Sequence, residues 1–221
     1  MLQTIILLAG TVEQLALITR LSECNRTLAI APVETAEDLA AIGPTVLANA
    51  RLIGFATPVI VSGAVLRQLG YGAYNFHPGP PSYPGLCPAH YAAYEGAATF
   101  GATAHKMVER VDAGPIVGVT HFAVPAGSGV RDIELQSYHA LARLFWDLAP
   151  LLTTRQEPLD ELAECWGPVK STRRSLEAVC SIAADIDAAE LARRIMAFGQ
   201  SPFGIAPTVT LHGHRFRLVA D

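Results

Sequence analysis

Asn75 and His77 stand two residues apart in the run Tyr74-Asn75-Phe76-His77-Pro78-Gly79. Residues i and i+2 of an extended segment project to one face, so a carboxamide that can donate hydrogen bonds sits beside an imidazole that can exchange a proton near neutral pH. The proline and glycine that follow end the strand, placing the pair at its carboxyl end, where open α/β sheets bind ligands. Further along, Gly101-Ala102-Thr103-Ala104-His105 sets a hydroxyl and a second imidazole on a shared face. Asp112 precedes the small-residue turn Ala113-Gly114, which can fold its carboxylate back over the strand end. Two readings of these residue types stand side by side. One is a turn asparagine, a core histidine held by a carbonyl and an Asx-turn aspartate organising its own backbone. The other is a site combining a hydrogen-bond donor, a proton acceptor and a carboxylate.

Short apolar runs alternate with helical stretches and would position these groups. Strands are expected at Thr4–Ala9, Thr27–Ala31, Leu52–Ala56 and Ala73–Phe76, with helices over Val12–Ser22 and Ser62–Leu69. That alternation argues for βα units and a parallel sheet with helices on both faces. Asn75 to Pro88 holds five prolines and two glycines in fourteen residues and reads as an irregular loop. A helix over Ala89–Glu95 follows, then apolar runs at Gly101–Val108 and Ile116–Val124. A long helix is expected over Val130–Leu152, its stripe being Leu135, Tyr138, Leu141, Ala142, Phe145 and Leu148. Glu157 to Ser175 is mixed and loop-rich; Ala188–Phe198 reads as a helix and Thr208–Leu218 as a hairpin turning at His212-Gly213.

Composition excludes several classes. The 221 residues are 51% apolar and 16% charged, which is globular and room enough for one sizeable domain. A net charge of −4 lacks the clustered basic footprint of a nucleic-acid binder, and Lys170, Arg173 and Arg174 read as a solvated turn. Leu52–Leu66 is the most apolar window, but it is interrupted by glycine and proline and too short to span a bilayer. The four cysteines, at 24, 87, 165 and 180, have no metal-ligand spacing, so no metal site is expected. Scattered thiols of this kind suit a cytoplasmic protein.

The segments NFHPGPPSYPG and FGATAHKMVERVDAGPIV, in that order and separated by a helix, resemble the formyltransferase family that uses 10-formyltetrahydrofolate. That family includes the glycinamide ribonucleotide, methionyl-tRNA and sugar-nucleotide enzymes. The similarity runs through Ala50–Val124, with looser flanks. It implies a Rossmann-like, mostly parallel sheet flanked by helices, with the N-terminal half trimmed, over residues 1–156. A small C-terminal helix plus β-hairpin extension would occupy 157–221. The resemblance also implies that Asn75, His77 and Asp112 are catalytic. An amine attacking a formyl carbon creates an oxyanion; Asn75 could donate to it, His77 could take the amine proton, and Asp112 could orient the reactants.

By the same resemblance, Phe55, Thr57, Pro58, Ala73, Val108 and Val111 would form the folate groove. Gly79 and Pro80 on the loop rim, with His90, Thr103 and His105, would meet the acceptor. The remaining histidines, His121, His139, His212 and His214, read as surface or strand positions. The expected donor is 10-formyltetrahydrofolate and the expected acceptor a small-molecule amine, such as a nucleotide-linked amino sugar. A homodimer built through the extension is the expected assembly, with no nucleic acid and no membrane. A hydrolase releasing formate and a non-catalytic folate binder are the alternatives. The sequence departs from the family at Gly79-Pro80-Pro81-Ser82, where Ser-Leu-Leu-Pro is usual. Its first loop, Ala9-Gly10-Thr11-Val12-Glu13, lacks the phosphate cradle of the purine enzyme, and 157–221 is short for the tRNA enzyme's extra domain.

Overall fold

Strand β1 (Thr4–Leu8) sends Ile5 and Leu7 into one apolar layer and Ile6 and Leu8 into another. Burial on both faces is what a central parallel strand requires. The computed structural model describes residues 1–201 and 203–219, so residues 202, 220 and 221 of the extension lie outside the described residues. After α1 (Thr11–Cys24), β2 (Ala29–Val33) pairs parallel with β1. Two short helices, α2 (Ala36–Ala40) and α3 (Pro44–Leu47), lead to β3 (Ala50–Phe55) on the other side of β1. A single turn, α4 (Gly63–Leu66), precedes β4 (Ala73–His77), which pairs parallel with β3. Helix α5 (Pro88–Glu95) reverses the chain, and β5 (Thr99–Lys106) and β6 (Ile116–Ala123) complete the sheet antiparallel. The six strands run β2-β1-β3-β4-β5-β6.

The long helix α6 (Val130–Thr154) packs beside α1 over one face, burying Leu141, Phe145, Ala149 and Leu152 against Ile53, Phe76 and Ala104. The other face carries the short helices through Leu39, Leu47 and Leu66. Three details differ from expectation. Leu135 is 57% exposed because the buried stripe of α6 runs through Ile133, Ser137, Ala140 and Leu144 instead. The helix expected over Ser62–Leu69 closes after one turn. The short helices α2 and α3 were not anticipated, and each has a single buried residue.

The extension adds α7 (Arg173–Cys180), β7 (Ser181–Ile182), α8 (Ala188–Phe198) and the hairpin β8 (Thr208–Leu211) and β9 (His214–Arg217). The hairpin turns at His212 and Gly213, both at positive φ (50° and 81°), as a tight two-residue turn demands. Phe198 docks α8 on α5 between Tyr91 and Tyr94, and the Tyr94 hydroxyl donates to Glu190 at 2.6 Å. Arg51 lies fully buried in β3. Its guanidinium donates to the carbonyls of Tyr71 (3.0 Å), Leu152 (2.6 Å) and Glu157 (3.4 Å) and faces the Tyr74 ring. Among the described residues no helix is long and apolar enough to cross a membrane.

Candidate active site

Strand alternation turns Tyr74 and Phe76 toward α6 and leaves Asn75 and His77 on the opposite side, at the carboxyl end of β4. Pairing with β5 sets His105 directly beside Asn75 and Thr103 beside His77. After β5 the chain makes an excursion and returns, with Met107 N–H donating to Ala73 and Lys106 N–H to Pro115. The return needs Gly114, where a Cβ would lie 1.9 Å from the Lys106 carbonyl oxygen. This folds Asp112 over the strand end, in the left-handed region at φ 45°.

Four side chains form a continuous polar chain there. Asn75 Nδ2 is 3.2 Å from His105 Nε2, which is 3.3 Å from Asp112 Oδ1. Asp112 Oδ2 lies 3.7 Å from His77 Nδ1 and accepts the Gly85 amide at 2.9 Å. His77 Nε2 is 3.1 Å from the Tyr83 carbonyl, which can only accept, so Nε2 carries the proton and Nδ1 is the basic nitrogen. His105 Nδ1 likewise donates to the Lys106 carbonyl at 2.9 Å, leaving Nε2 between Asn75 and Asp112.

Burial sets the charges. His77 is 5% exposed and Asp112 6%. Desolvation drives the His77 pKa below the ordinary 6.5, and the nearby Asp112 carboxylate only partly opposes this. Burial pushes the Asp112 carboxyl up, but in the acid range where it titrates the protonated imidazoles, through the His105 hydrogen bond and their charge, and the Gly85 amide outweigh this and hold the pKa to about 2. The site at neutral pH is therefore a carboxylate facing a neutral imidazole.

These groups line a cavity of about 640 Å³ whose walls are mainly apolar, including Val59, Ile60, Val61, Leu66 and Met107. Of the residues expected to bind the folate, Thr57, Pro58, Val108 and Val111 line it. Phe55 and Ala73, expected in the groove, do not line it. Phe55 points to the opposite face, its ring 5.7 Å from that of Phe145, and the cavity wall begins at the next residue, Ala56, where φ turns positive. Ala73 is buried in the layer beneath the short helices.

Among the expected acceptor contacts, only His105 reaches the cavity. Thr103 is fully buried, and its hydroxyl donates to the Gly79 carbonyl at 2.8 Å, bracing the loop. His90 stacks on Phe198, 3.6 Å from Glu134, and its Nδ1 has no hydrogen-bond partner among the described residues. Pro80 turns away from the cavity; its carbonyl accepts the Tyr83 amide. Gly79 supplies space: a Cβ there would lie 2.7 Å from His77 Nε2 and 2.8 Å from Pro88 Cβ. Gly79→Ala is therefore expected to displace the imidazole and lower turnover by about 10- to 100-fold. Its circular dichroism spectrum should match that of the unsubstituted protein.

A wall formed by the extension was not foreseen. Trp166 packs edge-on against His105 (5.0 Å between rings) and His77 (5.8 Å), and Lys170, Ser171, Thr172, Arg173 and Phe203 line the cavity. A lone tryptophan inside a polar, loop-rich stretch is the one signal that could have marked it.

Solved structures share this topology at low identity. A 4-N formyltransferase from Francisella tularensis matches with a TM-score of 0.75 and 13% identity, over 100% of this chain and 98% of that one. A sugar N-formyltransferase from Shewanella sp. gives 0.74 and 13%, over 99% and 97%. An N-formyltransferase from Helicobacter canadensis, solved with folinic acid and dTDP-3-aminofucose, gives 0.67 and 13%, over 96% and 85%. The fold is thus that of the N-formyltransferases, an α/β sheet with a helix and hairpin appended. The family model described as formyl transferase matches residues 31–142, just over half of the sequence, and the chain belongs to the formyl transferase family.

Proposed function

We propose that the protein transfers the formyl group of 10-formyltetrahydrofolate to the amine of a nucleotide-linked amino sugar. The observation that carries this reading is the convergence of Asn75, His105, Asp112 and His77 on one apolar cavity in a formyl transferase chain. Largely apolar walls with a few polar groups suit a pterin ring. The Helicobacter relative, with a folate and a dTDP-amino sugar bound, supports both substrate classes. Asn75, His77 and Asp112 are read as the catalytic set, and Thr57, Pro58, Val108 and Val111 as the folate groove.

In this reading the acceptor amine attacks the formyl carbon, and the Asn75 amide donates to the oxygen as it gains charge. One such donor contributes roughly 3 kcal/mol. His77 Nδ1 takes the proton lost by the amine, and the Asp112 carboxylate stabilises the imidazolium beside it. The same Nδ1 returns the proton to the departing folate nitrogen as the carbon–nitrogen bond breaks, so charge and atoms balance. Residues 1–156 are read as the catalytic domain and 157–221 as an extension that closes the site. The four free thiols support a cytoplasmic location. Exposed Leu211 and Phe216 on the hairpin support a homodimer through that element.

The direct test is incubation with 10-formyltetrahydrofolate and a panel of dTDP-amino sugars, following tetrahydrofolate release. Amine-dependent release is expected. Formate release without an amine would instead make the protein a hydrolase, and no folate turnover or binding would overturn both.

The pH profile is a second check. A histidine with a lowered folded pKa is already a base at neutrality, so kcat/KM, corrected for the fraction of acceptor amine that is unprotonated, should stay flat to below pH 6.5 and fall only as His77 protonates. The unfolded chain binds that proton more readily, so stability should also decline as pH drops below 6.5. An acid limb centred above 6.5 after that correction would contradict the assignment.

A further inference from the structure

Asp112 sits at φ 45°, a conformation that costs a non-glycine residue energy and persists only where its surroundings over-determine it. The excursion that carries it is gripped from outside. The Trp166 indole N–H donates to the Gly114 carbonyl at 2.8 Å, and the Lys170 ammonium donates to the Val111 carbonyl at 2.6 Å. These two bonds hold the backbone on either side of Asp112. A third grip is indirect. Ser171 N–H and Oγ donate to the Pro84 carbonyl, and the Leu86 amide donates back to the Ser171 carbonyl. This fixes Gly85, whose amide binds Asp112 Oδ2. Gly85 is at φ 99°, and a Cβ there would lie 2.0 Å from the Ser171 oxygen, so the contact admits only glycine. The Gly167 amide adds a bond to Pro81.

We infer that residues 166–171 are a clamp that holds Asp112 in its working geometry, with Trp166 and Lys170 as positioning residues. The inference rests on the proposed role of Asp112 in formyl transfer. Trp166 serves twice, since its ring also packs against both imidazoles that face the carboxylate. Lys170 has a competing use: it lines the cavity, where an ammonium could meet an acceptor's phosphates.

Two conservative variants separate these uses. Trp166→Phe removes the indole N–H but keeps an aromatic wall, and Lys170→Met removes the ammonium but keeps the stem. Each is expected to lower kcat about 10-fold with KM within twofold, as a small misplacement of a catalytic group does. Lys170→Arg, which retains a donor, should recover most of the loss. Amide hydrogen exchange at Gly85, whose N–H is held by Asp112 Oδ2, and at Lys106, whose N–H is held by the Pro115 carbonyl, should quicken in Trp166→Phe and Lys170→Met, read on the resting protein with no donor or acceptor present. That arm stands even if the formyl-transfer reading fails, so the two failures are distinguishable. A raised acceptor KM at unchanged kcat in Lys170→Met would make Lys170 a substrate contact and overturn its positioning role. Unchanged exchange in both variants would overturn the clamp.

Discussion

Asp112→Asn is expected to lower kcat by about 10³- to 10⁴-fold while KM changes less than threefold. The substitution keeps an oxygen for the Gly85 amide and tolerates the left-handed backbone, so the turn should survive. What it removes is the charge facing His77. A neutral partner cannot stabilise the imidazolium that forms when His77 takes the amine proton, and losses of that size follow when a carboxylate–histidine pair loses its charge. Steady-state kinetics with donor and acceptor would check it, and a kcat above one tenth of the original would sink the assignment. The charge also carries stability. With its pKa held from 3.8 to about 2, Asp112 contributes about 2 kcal/mol that is present above pH 3.8 and lost as pH falls toward 2. The variant lacks this titration, so its acid unfolding should become less steep.

Arg51→Met should cost on the order of 3 kcal/mol of stability. The guanidinium satisfies three backbone carbonyls, two of them at the end of α6 and the start of the extension. Each buried acceptor left unpaired costs about 1–3 kcal/mol, offset in part by relief of the desolvation that lowers the arginine's own pKa. A melting temperature roughly 6–12 °C lower is expected by calorimetry. A drop under 2 °C would show that water replaces the guanidinium.

The legible parts of this molecule are those written in short-range pattern. Asn75 and His77 could be paired because alternation fixes a shared face, whereas Asp112 before its small-residue turn joined them only through the resemblance of the two motifs to the family. Alternation does not say which face is which, and this is how Phe55 was assigned to the groove when it belongs to the core. Thr103 failed for a different reason: its partner, the Gly79 carbonyl, is 24 residues away across the proline-rich loop. The clamp was hidden because its bonds join side chains of 166–171 to backbone carbonyls near 84 and 112, and carbonyls have no sequence signature. Helix α7 was missed because only Leu176 and Cys180 of its eight residues are buried, too few to show a period.

The contact of Trp166 with both site histidines also orders events during synthesis. The sheet and α6 leave the ribosome before the clamp does, and N-terminal units fold first. The stretch from Asp112 to Phe203 takes roughly 5–20 s to make at ordinary translation rates. Through that interval the nascent chain has its strands made but an aspartate turn without the Trp166 and Lys170 bonds on either side of it. Competence therefore waits for the clamp, and a chain that has emerged only through α6 lacks the two bonds that hold the Asp112 backbone.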